Sequence, residues 1–151
     1  MQIIPADFEN PQVLALLRLH LAGMHANSPA GSVFALDLSG LQRPDITFVG
    51  LWDSGTLLGF GALKELTPLS GELKSMRTDP AHLRRGVGAR ILEHLVGLAR
   101  TRGYRRVSLE TGSGPAFDAA LALYRRYGFR NGGAFADYEA SPFNQFLHLE
   151  L

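Results

Sequence analysis

Cysteine is absent from the 151-residue sequence. Its absence excludes disulfides, thiolate metal sites and a cysteine nucleophile. Long apolar runs are also missing, since none approaches the ~20 residues that a membrane-spanning helix requires. The first residues, MQIIPADFEN, lack a basic segment followed by an apolar stretch. We therefore expect no secretory signal, no membrane partner and a cytoplasmic location.

An excess of charge of either sign is lacking too. The 15 Lys and Arg residues nearly balance the 14 Asp and Glu residues, so we expect no nucleic-acid partner. Lysine is scarce, because Lys64 and Lys74 are the only two and the other cations are arginines. Arginine favours planar partners such as phosphate or carboxylate, although a GC-rich coding bias produces the same skew. The five histidines show no metal-ligand spacing, so we expect no metal.

The residues that are present are typical of one globular domain over residues 1–151, with 46% hydrophobic and 19% charged residues. Apolar residues at helical spacing predict helices from Pro11 to about His25, from Arg84 to Gly103 and from Ala116 to Tyr127. The segment VFALDLSGL is predicted to be a short helical turn. Predicted strands are Gln2–Ile4, Ile46–Trp52, Thr56–Leu66, Glu72–Asp79, Arg106–Thr111, one that starts at Phe129, and the C-terminal FNQFLHLEL.

The order of these elements predicts the fold class. It indicates a mixed α/β (α+β) domain, with helices packed on a mostly antiparallel sheet. The strand Arg106–Thr111 follows a crossover helix, so it should run parallel to the strand Glu72–Asp79. Ligands often bind at strand ends where neighbouring strands of such a sheet separate.

The segment LRRGVGAR, residues 83–90, places two glycines before a helix. A P-loop requires a lysine after its last glycine, but alanine follows Gly88. A dinucleotide fingerprint requires Gly or Ala at its third position, where Ile91 stands. Two interpretations remain. Either the free amides and dipole of the helix bind a pyrophosphate, or Gly86 and Gly88 merely permit a tight turn.

Two segments of the chain resemble one family. MRTDPAHLRRGVGARILEHL is similar to the signature segment of the GNAT family of N-acetyltransferases, and ALALYRRYGFRNGG is similar to its second signature. The resemblance covers nearly the whole chain. It implies a GNAT-like fold, with helices on both faces of a sheet that splays at the parallel strand pair. It also implies an acyltransferase that moves an acetyl group from acetyl-coenzyme A to a primary amine by direct attack.

The resemblance also implies a coenzyme A site. In the family, backbone amides of the loop hold the pyrophosphate, a role that falls here to Arg84, Arg85, Gly86, Val87, Gly88 and Ala89. The preceding strand binds the pantetheine arm like an added strand edge, a role that falls to Met76, Arg77 and Thr78. Leu83 departs from the usual Gln or Arg, and Phe117 from the usual Asn. These departures leave open a non-catalytic coenzyme A-binding regulatory module, and the arginines leave open a nucleotide- or RNA-binding domain.

Two catalytic residues follow from the resemblance. Glu72 has the spacing of the base in some family members, and its strand parity with Met76 and Thr78 predicts that it faces the same side. Tyr124 matches the family tyrosine near the coenzyme sulfur, where a phenol can protonate the departing thiolate. Glu110, at the end of its strand, is a second carboxylate that can bind the substrate cation or replace Glu72 as base.

Residues that contact the acceptor are less well specified. His25 follows the first helix, in the region where the family shapes its acceptor pocket. Tyr138 lies in the aromatic segment FADYEASPFNQF with Phe143. These two aromatic residues can line the acceptor pocket or a homodimer contact, and plain packing explains them equally well. The expected acceptor is a small-molecule or a protein amine.

Overall fold

A seven-stranded sheet forms the centre of the molecule, and the computed structural model describes all residues, Met1–Leu151. Its strands are β1 (Gln2–Pro5), β2 (Ile46–Asp53), β3 (Thr56–Thr67), β4 (Ser70–Thr78), β5 (Arg106–Thr111), β6 (Arg130–Asn131) and β7 (Gln145–Glu150). Their spatial order is β1-β2-β3-β4-β5-β7-β6. Every neighbouring pair is antiparallel except β4 and β5. The predicted parallel pair within a mostly antiparallel sheet is confirmed.

Helices cover both faces of this sheet. They are α1 (Pro11–Asn27), α2 (Leu38–Leu41), α3 (Val87–Thr101) and α4 (Pro115–Tyr127). Successive residues of β3 divide between two buried clusters: Ala62 packs with α1 and α2, and Leu63 packs with α3 and α4. We call the two sides of the sheet the α1 face and the α3 face. None of the helices combines the length and the apolar character that a membrane crossing needs.

The parallel strands β4 and β5 separate soon after they meet. Their ladder holds three pairs, from Ser70 with Arg106 to Glu72 with Ser108. Beyond the last pair, the edge of each strand that faces the other has no strand partner. Unpaired backbone N–H and C=O groups need other partners. A ligand that carries amide groups can supply them in the gap.

A bulge interrupts β4 just past this point. Lys74 pairs with Ala62 of β3, but the next paired residue, Arg77, lies opposite Phe60. Three residue steps on β4 therefore match two steps on β3, which is the signature of a bulge. Ser75 takes up the extra residue with a left-handed φ of +55°.

The bulge reverses the alternation of side chains in the second half of β4. Glu72, Lys74 and Arg77 face α1, whereas Met76 packs into the cluster on the α3 face. The prediction that Glu72 faces the same side as Met76 and Thr78 is therefore wrong. A simple count of parity fails because one inserted residue turns every later side chain to the opposite face.

Helix α3 begins at Val87, three residues later than predicted. Arg84 and Gly86 both adopt left-handed backbone, with φ of +62° and +74°, and a right-handed helix cannot include such residues. A single turn of 3₁₀ helix, Pro80–His82, precedes them. The chain thus leaves β4 through two tight turns and enters α3 beside the gap.

The close approach of α3 to β3 depends on glycine. A Cβ at Gly59 would lie 2.7 Å from the carbonyl oxygen of Arg77 and 2.8 Å from Cγ1 of Val87. We expect Gly59→Ala to lower the free energy of unfolding by about 1–3 kcal/mol through overpacking. The matched control is Gly97→Ala in α3, where an added Cβ meets no atom within 4 Å and should stabilise by about 0.5–1 kcal/mol. Urea unfolding measures both, and equal effects of the two substitutions would contradict the packing explanation.

Candidate active site

A cavity of about 500 Å³ occupies the gap between β4 and β5 and reaches both faces of the sheet. The loop before α3 and the inner side of α4 line its half on the α3 face. The first helix and the segment after it line its half on the α1 face, through His20, Met24 and Phe34. The two halves are continuous. A molecule held against α3 can therefore reach groups on the α1 face.

Free backbone amides line the first of these halves. The N–H groups of residues 84–89 donate no hydrogen bond within the chain. Gly86, which caps α3, provides no side-chain acceptor for them. These donors lie at the positive end of the helix dipole. This arrangement binds phosphate and other anions.

The two arginines of the loop have different surroundings. Arg84 lines the cavity together with Gly86, Val87, Gly88 and Ala89. Arg85 instead donates to Asp53 at 3.3 Å and lies 3.1 Å from Nδ1 of His82. Its side chain is thus engaged at the β2–β3 hairpin. Leu83, whose position departs from the family pattern, lines the cavity mouth and is 58% exposed.

The bulged part of β4 forms one wall of the cavity. Met76, Arg77 and Thr78 all line it. The hydroxyl of Ser75 is buried in the same wall without a hydrogen-bond partner. This strand edge therefore offers a ligand unpaired backbone groups.

A buried triad lies on the α1 face. The hydroxyl of Tyr138 donates to Oε2 of Glu72 at 2.5 Å. Lys74 Nζ donates to the Tyr138 hydroxyl oxygen at 2.8 Å and to the same Glu72 oxygen at 3.3 Å. Burial, followed by the charge of Glu72, raises the pKa of Tyr138, so the phenol keeps its proton. The sequence analysis missed Lys74, although its position two residues after Glu72 on one strand was a usable signal.

Glu110 lies near this triad but stands apart from it. Its side chain faces α1, since it is two residues beyond Ser108, the β5 partner of Glu72. It is partly buried, lines the cavity and has no hydrogen bond or ion pair within the chain. Burial raises the pKa of Glu110 to about 7, with Glu72 adding to the rise and Lys74 opposing it. Near neutral pH this carboxyl group can therefore both accept and release a proton.

Tyr124 lies in the other half of the cavity. It is buried on the inner side of α4, and its ring packs 5.9 Å from that of Phe129. Its hydroxyl has no hydrogen-bond partner within the chain, and burial raises the pKa of Tyr124. The neighbouring departure from the family pattern, Phe117, is buried edge-on to Phe143 at 5.5 Å. An apolar contact thus occupies the position where the family usually has an amide.

A second polar pair was also missed from the sequence. Nε of Arg77 donates to Nδ1 of His20 at 2.9 Å, on the α1 face of the cavity. Burial and the charge of Arg77 lower the pKa of His20 to about 4, so the imidazole is neutral and accepts this bond. His25 lies on the exposed side of α1 and does not line the cavity, whereas His20, five residues earlier, does. Hydrophobic spacing places His20 on the buried side of α1 and was the available signal.

Comparisons with known proteins agree with this geometry. The sequence profile of the Acetyltransferase (GNAT) family matches residues 14–129. The uncharacterized N-acetyltransferase YsnE of Bacillus subtilis is 44% identical over 100% of both chains. YedL of Escherichia coli, also an uncharacterized N-acetyltransferase, is 46% identical over 96% of this chain and 91% of its own. A Klebsiella pneumoniae structure assigned as an acyl-CoA N-acyltransferase superposes with a TM-score of 0.83 at 28% identity, covering 99% of this chain and 97% of its own.

The site and these relatives lead to the same assignment. The free amides before α3 and the gap between β4 and β5 form an anion site beside an unpaired strand edge. The matched profile spans more than half of the chain. The chain therefore belongs to the GNAT family of acetyltransferases, and its reaction is the transfer of an acetyl group from acetyl-coenzyme A to an amine.

Proposed function

We propose that the chain acetylates a primary amine by direct attack on acetyl-coenzyme A within a ternary complex. One observation carries the proposal: Glu110 and the loop residues with free amides, Arg84 and 86–89, line the same continuous cavity. Without cysteine, no acetyl-cysteine intermediate can form. Direct attack requires only that both substrates occupy the two halves of the cavity together.

Acetyl-coenzyme A supplies the activated acetyl thioester. The amides of residues 84–89 would hold its pyrophosphate, with Arg84 as the nearby cation. The edge of β4 from Met76 to Thr78 would pair with the pantetheine amides. Arg85 can contribute only if it leaves Asp53. We therefore assign the side-chain contribution to Arg84 and only the backbone amide to Arg85.

Glu110 is the better supported base of the two carboxylates. Glu72 is the acceptor in two hydrogen bonds within the triad, and both end on one of its oxygens. Glu110 has no such partner, and its pKa of about 7 suits proton transfer near neutral pH. Glu72 would then hold Lys74 and Tyr138 in place as a positioning residue.

Tyr124 is the proposed acid. The departing coenzyme A thiolate needs a proton as the carbon–sulfur bond breaks. Tyr124 lines the half of the cavity that would hold the donor, and its hydroxyl has no hydrogen-bond partner within the chain. Its raised pKa keeps the proton on the phenol until a thiolate forms nearby.

The reaction can be tested with the purified protein. Coenzyme A and acetyl-coenzyme A should raise the melting temperature, since they bind only the folded state, and NAD should not. A panel of amines is then incubated with acetyl-coenzyme A while free thiol is followed. Thiol release that requires both an amine and the protein supports the proposal. If coenzyme A stabilises the protein but no amine causes thiol release, the non-catalytic regulatory module is favoured. If only NAD raises the melting temperature, the proposed coenzyme A site is wrong.

The base assignment predicts a pH profile. The rate should rise with pH through about 7, because Glu110 must lose its proton to act as base. Glu110→Gln should remove this rise and lower kcat/KM by about 100-fold or more at pH 7. Glu72→Gln is the matched control, since it makes the same substitution at the neighbouring carboxylate on the same face of the sheet. If Glu72→Gln removes the rise and Glu110→Gln leaves it, the base is Glu72.

The acid assignment predicts a different signature. Tyr124→Phe keeps the ring and its packing against Phe129 but removes the proton donor. We expect kcat to fall by roughly 100-fold, with the dissociation constant of coenzyme A nearly unchanged. Steady-state kinetics and calorimetric titration with coenzyme A measure the two quantities. Weakened coenzyme A binding with normal turnover at saturation would instead make Tyr124 a packing residue.

A further inference from the structure

Arg77 is a partly buried cation without an anionic partner. Its side chain lines the α1 half of the cavity and forms no ion pair with any carboxylate of the chain. The other cation of this half, Lys74, is already paired with Glu72. Removing a charge from water without a partner is costly. The structure therefore retains an uncompensated positive charge beside the acceptor space.

The guanidinium of Arg77 is held in a fixed place. Its Nε donates to His20, whose neutral imidazole can only accept through Nδ1. One of its terminal nitrogens lies so close to α1 that a Cβ at Gly23 would be 3.2 Å from it. The N–H groups of both terminal nitrogens have no partner within the chain. They form the two-pronged donor that matches a carboxylate.

The same half of the cavity contains an unpaired acid. Glu110 has no partner within the chain, and the register of β4 and β5 puts it on the same face as Arg77. Met24, Phe34 and Phe60 also line this half. An occupant therefore meets one free cation, one free carboxyl group and apolar contacts. This pattern is complementary to a molecule that carries a carboxylate and an amine together.

We propose that the acceptor is a small amino-acid-like molecule and that Arg77 binds its carboxylate while the amine lies toward Glu110. The inference rests on the proposed function and specifies its substrate class. A doubly charged phosphate fits less well, because Glu72 and Glu110 lie on the same face. An amine at a protein N-terminus or on a lysine side chain has no carboxylate beside it. Arg77 thereby becomes the specificity-determining residue of the site.

The test uses sets of matched acceptors. Each set contains a free amino acid, its carboxamide and the amine left by removing the carboxylate. With wild-type protein and acetyl-coenzyme A, kcat/KM should be at least about 30-fold higher for the free acid of the preferred set, as a charge-assisted bidentate contact predicts. Equal kcat/KM for all three members of every accepted set would overturn the inference while leaving acetyl transfer in place.

Variants identify the group responsible. Arg77→Gln should lower kcat/KM for the free acid far more than for its carboxamide, so that the roughly 30-fold preference of the wild type for the free acid is lost. Arg77→Lys keeps the positive charge but loses the bidentate donor geometry. It should therefore retain only part of the difference in kcat/KM between the free acid and its carboxamide. Arg18→Gln removes one arginine from the exposed side of α1 and should behave like wild type. A uniform loss for all three acceptors in Arg77→Gln would mean a structural role and overturn the inference.

A binding measurement separates this inference from the proposed reaction. Calorimetric titration of the same acceptors into protein saturated with coenzyme A requires no turnover. Free acids that bind wild type but not Arg77→Gln support the inference even if no acetyl transfer occurs, in which case only the proposed function fails. If no free acid binds or reacts while amines without a carboxylate do, the inference is wrong. Melting temperatures and coenzyme A affinity of each variant show whether it remains folded.

Discussion

The separation of β4 from β5 is the constraint on which the rest of the site depends. Two parallel strands that share three ladder pairs and then diverge leave a gap through the middle of the sheet. Helix α3 begins beside this gap with its first amides unpaired. The cavity in the gap connects the two faces of the sheet. A fully paired β4–β5 ladder would close the cavity and satisfy the strand edge. The fold can bind a ligand here because the edges of β4 and β5 and the first amides of α3 form no hydrogen bonds within the chain.

Charge on the α1 face is divided between a neutral triad and two free groups. Glu72, Lys74 and Tyr138 satisfy one another, which offsets the cost of burying an acid and a base. This leaves Glu110 and Arg77 as the groups whose interactions are incomplete. Burial acts on both, since it raises the pKa of Glu110 and lowers that of Arg77. The polar groups that hold the structure together are thus distinct from those available to a substrate.

Much of the fold was predictable because its signals are local. The crossover helix identified β5 as parallel to β4, and the two family signatures identified the loop before α3. The free amides at residues 86–89 follow directly from the start of a helix, where the first N–H groups have no intrahelical acceptor. The length of α3 was overestimated because left-handed backbone at Arg84, a residue without special propensity for it, has no sequence signal.

The arrangement of side chains in the site was less predictable because it depends on contacts between distant segments. The sequence identified both Glu72 and Tyr138 but did not predict their hydrogen bond, which joins positions 66 residues apart. The hydrogen bond between Arg77 and His20 was not predicted for a similar reason, since a bulge places the arginine on the α1 face. Periodicity describes the faces of regular elements and says nothing about where regularity is interrupted.

The single extra residue in β4 has a consequence for how such sites diversify. If Ser75 paired in a regular ladder instead of forming a bulge, the same sequence would turn residues 76–78 to the opposite faces. The guanidinium of Arg77 would enter the apolar cluster around Ile91, and the thioether of Met76 would enter the acceptor space. The presence or absence of a bulge at one strand position can therefore exchange a charged pocket for an apolar one without any substitution. A relative of the same length that lacks the bulge would be assigned the wrong pocket residues by an alignment without a gap.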